Sequence, residues 1–129
     1  MNNFIKIKNL SKKYEKNKSL KVLQNISFKF EPGKTYSLMG PSGSGKSTLL
    51  NLISMIDTPT TGTLEIDNIK INPNNKQYND LIRANKIGII YQDKNLLSDF
   101  TALENVYLPN LLISNKKQKS IELAKKLIK

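Results

Sequence analysis

From position 40 the chain reads Gly40-Pro41-Ser42-Gly43-Ser44-Gly45-Lys46-Ser47-Thr48. The spacing G-x-x-x-x-G-K-[ST] runs from Gly40 to Ser47, after an apolar run (Thr35 to Met39) and before a helical run (Lys46 to Met55). It constrains the fold to a strand, a glycine-rich bend and a helix, in that order. The same spacing describes a phosphate-binding loop. Several negative charges can approach a backbone only where N–H groups converge without intervening Cβ atoms, and Gly40, Gly43 and Gly45 permit that. The helix that follows adds unpaired N–H groups and the positive end of its dipole. Lys46 offers a point charge to the outer phosphates, and the Ser47 hydroxyl is placed to coordinate Mg²⁺. An ordinary Gly/Ser turn does not require lysine and then serine after its last glycine. Residues 40–48 are therefore expected to hold a nucleotide together with Mg²⁺.

The rest of the composition excludes more than it suggests. The 129 residues allow one domain at most, and the absence of cysteine and histidine removes disulfides, thiolate metal sites and the commonest general base. No apolar run is long enough to cross a bilayer, and Met1-Asn2-Asn3 leads into a strand pattern rather than a signal peptide. The net charge of +11 invites a nucleic-acid reading. However, all basic residues except Arg83 are lysines, and they are spread along the chain, so nucleic acid is not an expected partner.

Hydrophobic periodicity orders the elements. Phe4 to Leu10 and Val22 to Phe30 alternate as half-buried strands, with Ile26, Phe28 and Phe30 on one face. Glu31-Pro32-Gly33-Lys34 has type II turn chemistry. Thr35 to Met39 is expected to be the strand feeding the glycine-rich bend. In the helix beyond it, Leu49, Leu52, Ile53 and Ile56 are expected to face the sheet. Thr63 to Ile66 and Ile69 to Ile71 read as a hairpin closed by Asp67-Asn68, and Tyr78 to Asn85 as a weak helix. Ile87 to Tyr91 reads as a buried strand ending at Gln92. Thr101-Ala102-Leu103-Glu104 is a capping box, opening a helix expected to kink or break near Pro109. A last helix from about Lys116 should bury Ile121, Ala124, Leu127 and Ile128.

In this order the chain resembles the N-terminal part of an ATP-binding cassette (ABC) transporter nucleotide-binding domain. Ser11-Lys12-Lys13-Tyr14 resembles the A-loop, which implies that Tyr14 stacks on adenine; position alone favours a strand-edge aromatic, and the phosphate-binding loop taken with it favours stacking. Val22 to Phe28 resembles the family's second strand. Tyr91-Gln92, followed by Asn95-Leu96-Leu97, resembles the Q-loop, which implies that Gln92 reaches Mg²⁺ and couples the site to a membrane partner. Phe100 to Val106 with Leu108-Pro109 is similar to the segment after the Q-loop in the subgroup containing LolD, MacB and BceA-type ATPases.

The resemblance implies an α/β P-loop NTPase fold: an ABC-type ATPase core with an N-terminal antiparallel β-subdomain, residues 1–129 being one partial domain. It implies Lys46 and Gln92 as catalytic residues and Ser47 and Gln92 as metal ligands. It also implies a transmembrane permease as partner, with its coupling helix near Asp93 to Pro109, and a second nucleotide-binding domain completing an ATP-sandwich dimer. The subunit would sit at the cytoplasmic face of the membrane without a span of its own. It would drive export or extraction of lipoprotein, peptide or macrolide-like substrates. The family's LSGGQ signature, Walker B Asp-Glu, D-loop and switch histidine do not occur in these residues. The sequence therefore reads as truncated before those segments, with little turnover of its own, while the full-length parent is an ATPase. Two alternatives are a soluble non-transport ABC ATPase and an inactive nucleotide-binding fragment.

Overall fold

The computed structural model describes residues 5–14, 20–93 and 95–128. Phe4, the expected start of the first strand, lies outside them. The chain divides into two compact units, Met1–Arg83 and Ala84–Lys129.

The first unit is built on a four-stranded antiparallel sheet in the order β2-β1-β3-β4, with β1 Ile5–Tyr14, β2 Leu20–Phe30, β3 Thr61–Ile66 and β4 Ile69–Lys70. Alternation on β1 and β3 buries Ile7, Leu10, Leu64 and Ile66 on one side. The β1–β2 ladder is irregular, and serines repair it. Asn9 and Asn25 take left-handed φ of 51° and 49°. Ser27 Oγ accepts from Asn9 N at 2.8 Å, and Ser11 Oγ accepts from Asn25 N at 3.0 Å. Asn and Asp tolerate this region best among non-glycine residues, because their short side chains bond locally.

The hairpin predicted at Asp67-Asn68 is present, with both residues at positive φ (53° and 63°) as a type I′ turn requires. Beyond it, Ile71 is buried and its N–H bonds Leu64 O at 2.9 Å. Gly62, on β3, has φ 93°, and a Cβ there would lie 2.4 Å from Asn9 O. Only glycine lets β3 approach β1 that closely.

Helix α1 (Lys46–Ile53) packs on β2 and buries Leu49 and Leu52, the latter 1% exposed. It ends two residues earlier than predicted, and Ile56 is exposed rather than facing the sheet. The Ser54 hydroxyl bonds back to Leu50 O at 2.7 Å, and Met55 turns left-handed (φ 57°), which ends the helical period. Helix α2 (Lys76–Lys86) starts earlier than predicted because Asn75 Oδ1 caps it, accepting from Tyr78 N at 3.2 Å.

The second unit contains α3 (Ala102–Ser114) and α4 (Lys117–Leu127), packed together. The Thr101–Glu104 capping box is present in both directions. Helix α3 continues through Pro109 instead of breaking. Proline removes one ladder bond, and here that loss does not end the helix. The buried line of α4 is Ser120 and Ala124, while Leu127 and Ile128 are exposed, contrary to the predicted face. Ser120 is buried because its hydroxyl bonds Asn110 Oδ1 at 2.8 Å and lies 3.1 Å from Ser114 Oγ.

Two predicted strands are absent. Residues 35–39 and 87–91 form no ladder among the described residues, and Met39 and Ile90 are 85% and 100% exposed. A strand requires a neighbour to complete its hydrogen bonds. An apolar run shows only that a segment is suited to be one.

Candidate nucleotide-binding site

The glycine-rich bend emerges from residues 35–39 and closes onto the first turn of α1. Its geometry follows from the glycines. Gly45 is the N-cap of α1 at φ 91°, and a Cβ there would lie 2.8 Å from Leu23 Cδ2 and 3.1 Å from Val22 O. The helix start is thus pressed against β2, where no other residue fits.

Lys46 folds its side chain back over the bend. Its ammonium donates to Gly40 O at 2.8 Å, Pro41 O at 2.7 Å and Ser44 Oγ at 3.5 Å. The cation is therefore held at the mouth of the loop. The N-cap has no side chain to satisfy the first-turn N–H groups, and no acidic residue occupies that turn. Free donors, an unopposed dipole and a tethered ammonium together form a seat for an anion.

Pro41, Ser42 and Ser44 are exposed along the bend; Ser47 is exposed and Thr48 half-buried on the helix. No group of three or more His, Cys, Asp or Glu side chains gathers among the described residues. At the bend itself, the Ser47 hydroxyl is the side-chain oxygen a divalent cation could take as a ligand. That oxygen is a hard ligand, the kind suited to Mg²⁺.

Tyr14 lies at the end of β1, its ring 38% exposed, and its hydroxyl donates to Asp57 Oδ2 at 2.9 Å. The Lys12 ammonium bonds Asp57 Oδ1 at 2.6 Å and Thr58 O at 2.7 Å, and stands 4.8 Å from the Tyr14 ring centroid. Partial burial of the Asp57 carboxyl opposes its ionisation. The hydrogen bonds from Lys12, Tyr14 and the Thr58 amide outweigh that and hold its pKa below the usual carboxylate range. The register places Tyr14 opposite Leu20 and Lys12 opposite Leu23, the residue that abuts Gly45. Tyr14 and the glycine-rich bend therefore occupy the same end of the β1–β2 ladder.

Gln92 belongs to the second unit, where it is exposed at a bend following the exposed Tyr91. Leu96, Leu97 and Phe100 are likewise exposed. The Asn105 side chain organises this segment: its Oδ1 accepts from Leu97 N at 2.8 Å, and its Nδ2 donates to Leu97, Phe100 and Thr101 carbonyls at 3.0–3.1 Å. Sequence reasoning did not single out Asn105, Lys12 or Asp57. Lys12 carried a signal, since it sits two residues before Tyr14 on a strand. Asp57 carried no such signal.

The family model described as "ABC transporter" matches residues 23–129. The chain is 40% identical over 128 residues to the lipoprotein-releasing system ATP-binding protein LolD of Rickettsia bellii, covering 98% of this chain and 56% of that protein. It is 46% identical over 106 residues to the uncharacterized ABC transporter ATP-binding protein MJ0796 of Methanocaldococcus jannaschii, covering 81% and 45%. A dimeric post-hydrolysis structure of MJ0796 bound to ADP and Pi superposes with a TM-score of 0.85 at 39% identity, covering 95% of this chain and 54% of that one. The chain spans about half the length of the curated relatives it matches. With an α/β fold of the cassette type and a family match over most of its length, the chain belongs to the ABC transporter family.

Proposed function

We propose that this chain is the nucleotide-seating part of an ABC transporter's ATP-binding subunit. Residues 40–48 hold the phosphates, Lys46 and Gln92 act at the transferring group, Ser47 and Gln92 ligate Mg²⁺, and Tyr14 stacks on the base. The observation that carries this reading is the Lys46 ammonium, held over the bend by Gly40 O and Pro41 O beside an uncapped helix start. The ADP and Pi in the MJ0796 structure support it, since that cassette shares the fold.

When bound, Mg²⁺ supplies charge neutralisation across the outer phosphates. Lys46 supplies a positioned cation, the bend supplies inward-facing amides, and Ser47 supplies one oxygen. The sequence has no Asp-Glu pair after an apolar strand, the Walker B pattern that would orient a water. Hydrolysis accordingly belongs to the full-length subunit, assembled as a two-cassette sandwich that places a second signature loop over the nucleotide. In that assembly Asp93 to Pro109 receives the permease's coupling helix at the cytoplasmic face of the membrane. No helix among the described residues is long and apolar enough to cross a membrane. The similarity to LolD favours a lipoprotein or another lipid-anchored or peptide substrate, extracted or exported.

Titration with a fluorescent ATP analogue tests the seat. Lys46→Ala should weaken binding about 10- to 100-fold, the size expected for losing a charge-assisted contact. Binding that is indifferent to that substitution removes the proposal.

A further inference from the structure

The β1 strand carries an anchored aromatic side chain that the phosphate-binding loop does not itself require. A tyrosine at a strand end ordinarily turns about two side-chain torsions. Here its hydroxyl is fixed by Asp57 Oδ2 at 2.9 Å, while the Lys12 ammonium lies 4.8 Å from its ring centroid. Lys12 is itself immobilised, 8% exposed and bonded to Asp57 Oδ1 and Thr58 O. Asp57 follows closely on α1, the helix whose first turn carries Lys46. A single short helix therefore leads from the phosphate end of the seat to the anchor of the tyrosine.

We propose that Asp57 and Lys12 are positioning residues for nucleotide base recognition. Asp57 pins the phenol oxygen of Tyr14 and Lys12 covers one face of its ring, so that the other face is presented, pre-oriented, to a purine. This inference rests on the nucleotide reading above and deepens it at the same site. A pinned ring loses less rotamer freedom when a base stacks on it, so the anchor acts on the base-dependent share of affinity alone. The ammonium on one face also closes that face to a second stacking partner.

The test separates base from phosphate. Competition against a fluorescent ATP analogue gives the affinities of the 129-residue chain for MgATP and for magnesium tripolyphosphate, which has the phosphates but no base. Tyr14→Ala should lower ATP affinity about five- to fiftyfold, as for loss of a stacked aromatic, and leave tripolyphosphate unchanged. Tyr14→Phe, which keeps the ring and removes only the tether, should lower ATP affinity about three- to tenfold, again without effect on tripolyphosphate. Asp57→Asn should match Tyr14→Phe; if it melts early, Tyr14→Phe alone decides, because its hydroxyl is at the surface. If both variants keep the wild-type ratio of ATP to tripolyphosphate affinity, or weaken the two ligands equally, the inference is overturned. Lys46→Ala is the control for the underlying reading. It should weaken both ligands, and if it weakens neither, the nucleotide assignment fails and the positioning role fails with it.

Discussion

Gly43 and Gly45 both lie at positive φ, 78° and 91°, yet they should fail differently when replaced by alanine. At Gly43 a Cβ meets nothing within 4 Å, so the cost is backbone strain alone, about 1–2 kcal/mol. The bend is exposed and can relieve that strain by rearranging locally. The penalty then falls on the bound state, which needs the amides converged. Gly43→Ala should weaken ATP binding about five- to thirtyfold while shifting the urea midpoint little.

At Gly45 the same strain applies, and the new methyl lies 2.8 Å from Leu23 Cδ2 and 3.1 Å from Val22 O. The leucine tip can rotate, but the carbonyl belongs to β2 and cannot. Overpacking adds about 1–2 kcal/mol and separates α1 from the sheet it stabilises. Gly45→Ala should therefore cost about 2–4 kcal/mol of folding stability, a drop in urea midpoint on the order of 1–2 M. Circular dichroism during urea titration, alongside nucleotide titration, measures both quantities. Equal midpoints for the two variants would refute the reasoning that Gly45 is required by contact and Gly43 by conformation.

Two further outcomes follow from the hydrogen-bond pattern. Thr101→Ala removes the reciprocal cap of α3 and should cost about 1 kcal/mol, visible as lost helicity at intermediate urea, with Thr101→Ser retaining most of it. Asp57 has a folded pKa below its unfolded value near ~3.9, so its ionised form stabilises the fold fully above that value. That contribution is lost as pH falls through ~3.9 toward the folded pKa. As pH falls below about 4, wild type should lose stability more steeply than Asp57→Asn; parallel curves would show that the Lys12–Asp57–Tyr14 set contributes nothing.

Local chemistry made much of this molecule legible in advance. The Asp67-Asn68 hairpin, the Thr101–Glu104 cap and the glycine-rich bend before Lys46 are each specified within a few residues, and each is present. Long-range pairing was not legible. Residues 35–39 and 87–91 have the apolar character of central strands, but a ladder depends on neighbours the segment itself does not encode, and none occurs among the described residues. Ile56 continued a helical period past the left-handed Met55, and Ile128 lies beyond the last residue of α4. Ser120 was overlooked for a related reason: its burial follows from Asn110 and Ser114 on another helix. The three-residue knot of Lys12, Tyr14 and Asp57 joins positions 45 residues apart, beyond the reach of any spacing rule.

The close passage at Gly62 has a mechanical meaning. Thr60 N bonds Ser11 O at 2.9 Å and Lys13 N bonds Thr60 Oγ1 at 3.0 Å, so the stretch leaving α1 is riveted to β1 just where the missing Cβ lets the two backbones touch. These bonds fix the spacing between β1 and the segment that follows α1. On the proposed nucleotide reading, the distance between the glycine-rich bend and the Tyr14 ring is thereby set by backbone contacts rather than by the ligand.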